Sequence, residues 1–310
     1  DPKDDEDAFI QSMLEMVKKY KPEDDRPYVL MPIFRDTKLF AAHKDKFAPY
    51  IKVAAPDYEA IQKLHPKQNF ARTAQEIGLS VPKTWLPEDI EELKALSQDL
   101  PYPVLIKPYD MVGGRGIHKV NNSEELIKYW NENQQTHKQK SLIQELVDGK
   151  DYCLTAIYDH GKRKASMAYK NIHRFPANDS GAGIMRETVE SHRFEESADN
   201  LMSSLKWNGI VEFDFMWDEN EKNQPYMLEV NTRFWSGLFQ SVESGLDYPW
   251  YLYKLAVNGT VEQAEKSAIG TRTKMPYVWL ISALKDVMRD EKRTKEIESK
   301  GKEALSHFNE

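Results

Sequence analysis

The alternation over residues 227–237 limits most severely what this 310-residue chain can fold into. Alternate side chains of a strand face the same way, so Glu229, Asn231 and Arg233 project together as a carboxylate, an amide and a guanidinium. Residues 226–230 otherwise read as a buried strand, and a charge buried without a partner is costly. Two readings fit such a row. One is a structural salt bridge at a strand end; the other is a magnesium–nucleotide site, with hard oxygen ligands for Mg2+ and an arginine for a phosphate. Glu212 and Asp214 lie one short hairpin upstream, two residues apart and therefore on the same side.

Composition narrows the function classes. A formal charge of -7 leaves no basic excess to neutralise a nucleic-acid backbone, so no nucleic-acid partner is expected. Cys153 is the single cysteine, which excludes an internal disulfide and a cysteine-based zinc site; it reads as a small apolar strand residue. No apolar run is long enough to span a bilayer and no signal peptide is visible, so a cytoplasmic protein without a membrane partner is expected. The chain starts at Asp1 without a methionine, and a truncated N-terminal part is one expectation.

Read in order, residues 9–20 have helical spacing, 28–34 and 50–53 read as strands, and 38–47 and 57–78 as helices, the last divided near Pro66. This alternation predicts a small parallel α/β unit, without the glycine-rich first turn of a dinucleotide site. After a helix over 88–96, residues 102–120 form strand, glycine loop and strand, with Lys107 closing the first strand and Gly113, Gly114, Arg115 and Gly116 in the loop. A helix capped by Ser123 follows. A plain hairpin with a solvated lysine is the rival reading. Glycines that admit backbone N–H groups to a phosphate, beside a strand-end lysine, are the better one. Strands over 141–147, 151–158, 163–172 and 184–189 then predict an antiparallel sheet in a second lobe. A helix over 194–205, a hairpin of 210–217 with 226–230, and helical turns over 241–258 complete it. Residues 285–310 read as a charged, solvated helix. The expected division is 1–84, 85–149, 150–260 and a helical tail over 261–310.

At this point the residues resemble the ATP-grasp superfamily, and within it the carbamoyl-phosphate-synthetase-like and biotin-carboxylase-like branch, over residues 67–259. Lys67, Lys107, the glycine loop, Glu145, Asp151, the Val-Glu-Phe-Asp run holding Glu212, and Leu228–Arg233 occur in that family's order. The resemblance implies an α/β fold, α+β in the ATP-grasp part, in which two α+β lobes clasp ATP behind a partial pre-grasp α/β unit. It further implies that Lys67 and Lys107 hold the nucleotide phosphates while Gly113, Gly114, Arg115 and Gly116 close over them. Glu145 with the backbone of Leu146 and Val147 would meet the adenine, and Asp151 the ribose. Glu212 and Glu229 would bridge one or two Mg2+ ions, or Mn2+, with Asn231 completing the second; Asp214 competes with Glu212 for its role. Arg233, Lys107 and Arg186 would act on the transferred phosphoryl group and acyl phosphate.

Residues Lys170, His173, Arg174 and Arg186 lie where that family binds its acyl or acceptor substrate, and suggest an anionic, carboxylate-bearing one. Charges that protect a strand edge are the alternative. The implied activity is an ADP-forming ligase that joins a carboxylate to an amine or thiol. A bicarbonate-using carboxylase or carbamoyl-phosphate-type enzyme is the nearest rival, and a silent ATP-binding module of a larger assembly is a rival of another class. A homodimer or a multidomain assembly is expected around it.

Overall fold

The computed structural model describes residues 5–34, 36–111, 115–175, 182–220 and 222–289. Gly113, Gly114, the 178–181 loop and the tail beyond residue 289 lie outside the described residues. The first stretch carries α1 (Glu6–Lys19), β1 (Val29–Leu30), α2 (Asp36–Ala42), α3 (Lys44–Phe47), β2 (Lys52–Val53), α4 (Tyr58–Leu64) and α5 (Lys67–Glu76). Then come β3 (Thr84–Trp85), α6 (Ile90–Leu96), β4 (Val104–Pro108), β5 (His118–Val120), α7 (Ser123–His137) and β6 (Ser141–Glu145). The long strands β7 (Lys150–Asp159), β8 (Lys162–Phe175) and β9 (Ala182–Val189) follow, then α8 (His192–Ser204), β10 (Gly209–Trp217) and β11 (Tyr226–Asn231). Last are α9 (Leu238–Glu243), α10 (Tyr248–Asn258), β12 (Arg272–Lys274) and α11 (Pro276–Arg289).

Among the described residues the strands form three sheets. β1 and β2 pair in parallel, as the strand–helix alternation predicts. The glycine-loop sheet has order β3-β6-β4-β5 and the large sheet β11-β10-β7-β8-β9-β12, both antiparallel. Two of their edge strands, β3 and β12, escape the sequence reading because two or three residues beside a proline or a polar run carry no periodicity. The helix after the glycine loop also begins one residue early. Asn122, not Ser123, is its cap, and the Asn122 side chain accepts from the Glu125 N–H.

The large sheet separates two cores, and this division makes the site. On one face Phe213 and Phe215 of β10, Leu154 and Ala156 of β7, and Phe194 of α8 pack together with the α4–α5 pair. Each buried phenylalanine contributes about 1.5–3 kcal/mol. On the other face Ile157, Tyr169 and Ile210 pack against Trp235, Tyr248 and Leu252, the last two on α10. Alternation along β10 therefore commits Glu212 and Asp214 to the second face, where they interrupt an apolar layer. The small sheet has its own core, Val104, Ile106, Val120 and Ile143 under Trp130 and Leu126 of α7, so Lys107 projects from the opposite face.

Candidate active site

Antiparallel pairing brings the acids together. Across β10 and β11 Asp214 lies opposite Glu229 and Glu212 opposite Asn231, with a bulge just past Asp214. The Asn231 Nδ2 donates to Asp214 Oδ2 at 3.2 Å. β11 ends at Asn231, so Arg233 sits on the following turn and not in the strand row that alternation suggests. It folds back, donating through one terminal nitrogen to Asn231 Oδ1 at 3.0 Å and through the other to the Phe234 carbonyl at 2.9 Å. Its guanidinium also stacks over Phe34, 5.1 Å from the ring centre.

Glu212 is buried, and the Tyr169 hydroxyl donates to its Oε1 at 2.5 Å. Burial first, and then the charge of Asp214, push the Glu212 carboxyl up to about 8, against the Tyr169 hydrogen bond and the charges of Arg233 and Arg186. Asp214 rises to about 6, from burial and then from Glu229; the Cys153 thiol, donating to Asp214 Oδ1 at 3.3 Å, works the other way. Cys153, Glu212 and Asp214 present ligand atoms that all lie within 4.8 Å of one another. The buried Glu212 carboxyl and the half-buried Asp214 carboxyl, with Glu229 across the strand pair and the Asn231 amide beside them, are an oxygen-rich donor set that fits a hard divalent cation.

The lysines approach from the other side. Lys67, at the start of α5, places Nζ 3.0 Å from Glu229 Oε1 and 2.9 Å from the Met111 carbonyl oxygen. Lys107 donates to Gln144 Oε1 at 2.5 Å. Burial drives its ammonium down to about 8; Lys67 adds to that, while Glu229 and Asp214 oppose it. Glu145 accepts from the Lys83 backbone N–H at 3.1 Å, and Leu146 and Val147 follow it half-buried at the strand exit. Arg115 and Gly116 form the described end of the glycine loop. Gly116 has φ +70, and a Cβ there would lie 2.7 Å from the Pro108 ring, so this turn requires glycine.

The predicted substrate residues separate into two groups. Lys170 pairs with Glu187 at 2.8 Å, and Arg174 pairs with Asp151, which Asn171 also contacts at 2.5 Å. His173 lies on β8 opposite Met185, beside a bulge. Arg186 differs: it is 4% exposed, lies over the Tyr169 ring, donates to Ser236 Oγ at 3.0 Å, and leaves Nε without a hydrogen-bond partner among the described residues. Sequence reasoning missed Tyr169 and Gln144 and gave Cys153 no role. The motifs adjoin them, but only strand register shows that they reach Glu212, Lys107 and Asp214.

A family model described as the ATP-grasp domain matches residues 65–237, more than half of the chain and the whole of this cluster. The chain belongs to the ATP-grasp family. The C-terminal section of the carbamoyl phosphate synthase large chain of Methanopyrus kandleri is 22% identical over 200 residues, 59% of this chain and 35% of that protein. The carbamoyl phosphate synthase large chain of Thermoanaerobacter pseudethanolicus is 23% identical over 223 residues, 68% of this chain and 20% of that one. The chain thus spans about a third or less of these relatives. Among solved ATP-grasp folds, the biotin carboxylase domain dimer of Hydrogenobacter thermophilus 2-oxoglutarate carboxylase, in complex with MgADP, ADP and bicarbonate, superposes with a TM-score of 0.68 at 16% identity, covering 84% of this chain and 60% of that one. Phosphoribosylamine–glycine ligase of Thermotoga maritima gives 0.64 at 16% identity, over 83% and 67%. These likenesses establish the ATP-grasp fold, with its mixture of helices and antiparallel sheets. No helix among the described residues is long and apolar enough to cross a membrane.

Proposed function

We propose that this chain carries the ATP cleft of an ADP-forming ligase that activates a carboxylate as an acyl phosphate and joins it to an amine or thiol. The observation that carries the reading is the meeting of two opposite charge sets, Lys67 and Lys107 on one side and the acids Glu212, Asp214 and Glu229 on the other, with Asn231 and Arg233 beside the acids. ATP brings phosphates that the lysines neutralise, and the acids hold Mg2+, one ion or two. The metal, when bound, supplies charge neutralisation at the phosphate oxygens. Arg233, Lys107 and Arg186 face the charge that develops as the γ-phosphoryl group moves, and each such group is worth roughly 2–4 kcal/mol in the transition state.

No protein nucleophile is needed. The substrate carboxylate attacks the γ-phosphorus, the bond to the β–γ bridging oxygen breaks, ADP leaves, and the amine then displaces phosphate from the acyl carbon. Cys153 is unsuited to attack, since burial and the two neighbouring acids push its thiol well up. The Nε of buried Arg186, without a partner among the described residues, marks it as the candidate cation for the acyl substrate, and Lys170, His173 and Arg174 on the neighbouring strand β8 are accessory candidates. The ribose role of Asp151, the adenine role of Glu145 to Val147, and the phosphate role of Gly113 to Gly116 belong to the same proposal. So do the division at residues 84, 149 and 260, a cytoplasmic location, and a dimeric or multidomain assembly.

Bicarbonate is the second acid to test, because a neighbouring fold binds it with MgADP. The experiment supplies ATP, Mg2+ and pools of small carboxylates, bicarbonate included, with pooled amines, and follows ADP and phosphate. Release that depends on one acid pool supports the ligase. No release above background from any pool, with MgATP still raising the melting temperature, leaves a nucleotide-binding module instead.

A further inference from the structure

Gln144 is buried at 7% exposure, and its amide has a forced orientation. The Thr84 hydroxyl lies 2.9 Å from the Pro82 carbonyl oxygen, which takes its one proton. Thr84 Oγ1 is left as an acceptor, and Gln144 Nε2 donates to it at 3.1 Å. The amide oxygen must then face Lys107 Nζ, at 2.5 Å. The reversed amide would set an NH2 against an ammonium, donor against donor. Strand register makes this possible: Thr84 lies opposite Gln144 across β3 and β6, and Gln144 opposite Leu105 across β6 and β4, one diagonal step from Lys107. All three residues share the cleft-facing side of the small sheet.

We propose that Thr84 and Gln144 are positioning residues that aim the Lys107 ammonium at the nucleotide phosphates while leaving its charge uncompensated. This rests on the nucleotide reading of Lys107. A carboxylate at residue 144 would also hold the lysine, but it would cancel the charge and repel a phosphate; the neutral amide does neither. The charged groups facing Lys107 are Lys67 from α5, Glu229 from β11 and Asp214 from β10. Burial lowers the ammonium from the ordinary lysine range, so phosphate binding, which favours the protonated form, weakens as pH rises into the alkaline range.

The test is calorimetric titration of the full chain with MgATP at saturating Mg2+, from about pH 6 to about pH 10. For Thr84→Val, which frees the amide to reverse, a loss of about fivefold in affinity is expected; Thr84→Ser, which keeps the hydroxyl, restores wild-type affinity to within about twofold. Gln144→Glu is expected to lose about tenfold near neutral pH and to move the alkaline fall in affinity upward, which a purely structural defect would not do. Wild-type affinity and pH profile in both Thr84→Val and Gln144→Glu overturn the proposal. If Gln144→Glu does not unfold cooperatively, the Thr84 pair decides. A wild-type chain that binds no MgATP overturns the nucleotide reading itself and this inference with it, an outcome distinct from unchanged variants.

Discussion

Lys67 Nζ and Glu229 Oε1 lie 3.0 Å apart, and the same ammonium reaches the Met111 carbonyl at 2.9 Å, so one lysine ties the acid-bearing strand β11 to the start of the glycine loop. Both partners of this pair have other work in the proposed reaction. Glu229→Gln keeps the shape and one hydrogen bond but removes the charge. Mg2+-dependent ADP release is expected to fall at least about 100-fold, with a circular dichroism spectrum like that of the wild type. Wild-type turnover in this variant refutes the metal assignment.

Arg233 is held by Asn231 and by the Phe234 carbonyl, which aim it with no carboxylate ion pair among the described residues. Arg233→Lys keeps a charge but cannot span both contacts. Its kcat is expected to drop about 100-fold while the KM for ATP changes by less than about fivefold. Steady-state kinetics with ATP varied will separate the two constants, and a defect confined to KM would show that Arg233 binds the ground state only.

The Glu212 and Asp214 carboxyls make stability depend on pH in a defined sense. Their folded values, raised to about 8 and about 6, exceed the ordinary 4.5 and 3.8, so the folded chain holds more protons than the unfolded one in between. Stability from this pair is present at acid pH and is lost as pH rises through about 6 and on to about 8. Melting curves in a chelator should show that decline, Mg2+ or Mn2+ should reverse it, and Glu212→Gln should flatten it. A chelated protein whose stability rises over the same window contradicts the burial of the pair.

Gly237 is the residue against which Arg186 and Tyr169 pack. A Cβ there would lie 3.0 Å from Arg186 Nε and 3.1 Å from the Tyr169 hydroxyl. Gly237→Ala is expected to cost about 1–3 kcal/mol by overpacking and to raise the KM for the carboxylate more than that for ATP. Equal changes in the two KM values would separate Arg186 from the acyl substrate.

How much of this was legible before folding depends on where each contact comes from. The lysines, the glycine loop and the residue types at 229, 231 and 233 can be read along the chain, because phosphate and metal chemistry restricts residue types at successive positions; that Arg233 leaves the strand cannot. Contacts made across strands cannot. Tyr169 meets Glu212, Cys153 meets Asp214, and Arg174 finds Asp151 only because β7, β8 and β10 pair in one register, and a slip of one residue would turn each side chain to the other core. Gln144 is hidden for the same reason, compounded by the brevity of β3. Local signals misplaced the α7 cap by one residue, from Asn122 to Ser123, since both side chains can cap.

The central chemical step is transfer of the γ-phosphoryl group to a carboxylate oxygen, and isotope transfer measures it directly. Small carboxylates labelled with heavy oxygen are incubated with the chain, Mg2+, ATP and the amine pool, and the released phosphate is weighed by mass spectrometry. One labelled oxygen in each phosphate released with ADP is the expected result, because the acyl phosphate keeps a carboxylate oxygen when the amine attacks carbon. Release of ADP with wholly unlabelled phosphate would mean that water, not a carboxylate, takes the phosphoryl group, and would contradict the ligase assignment.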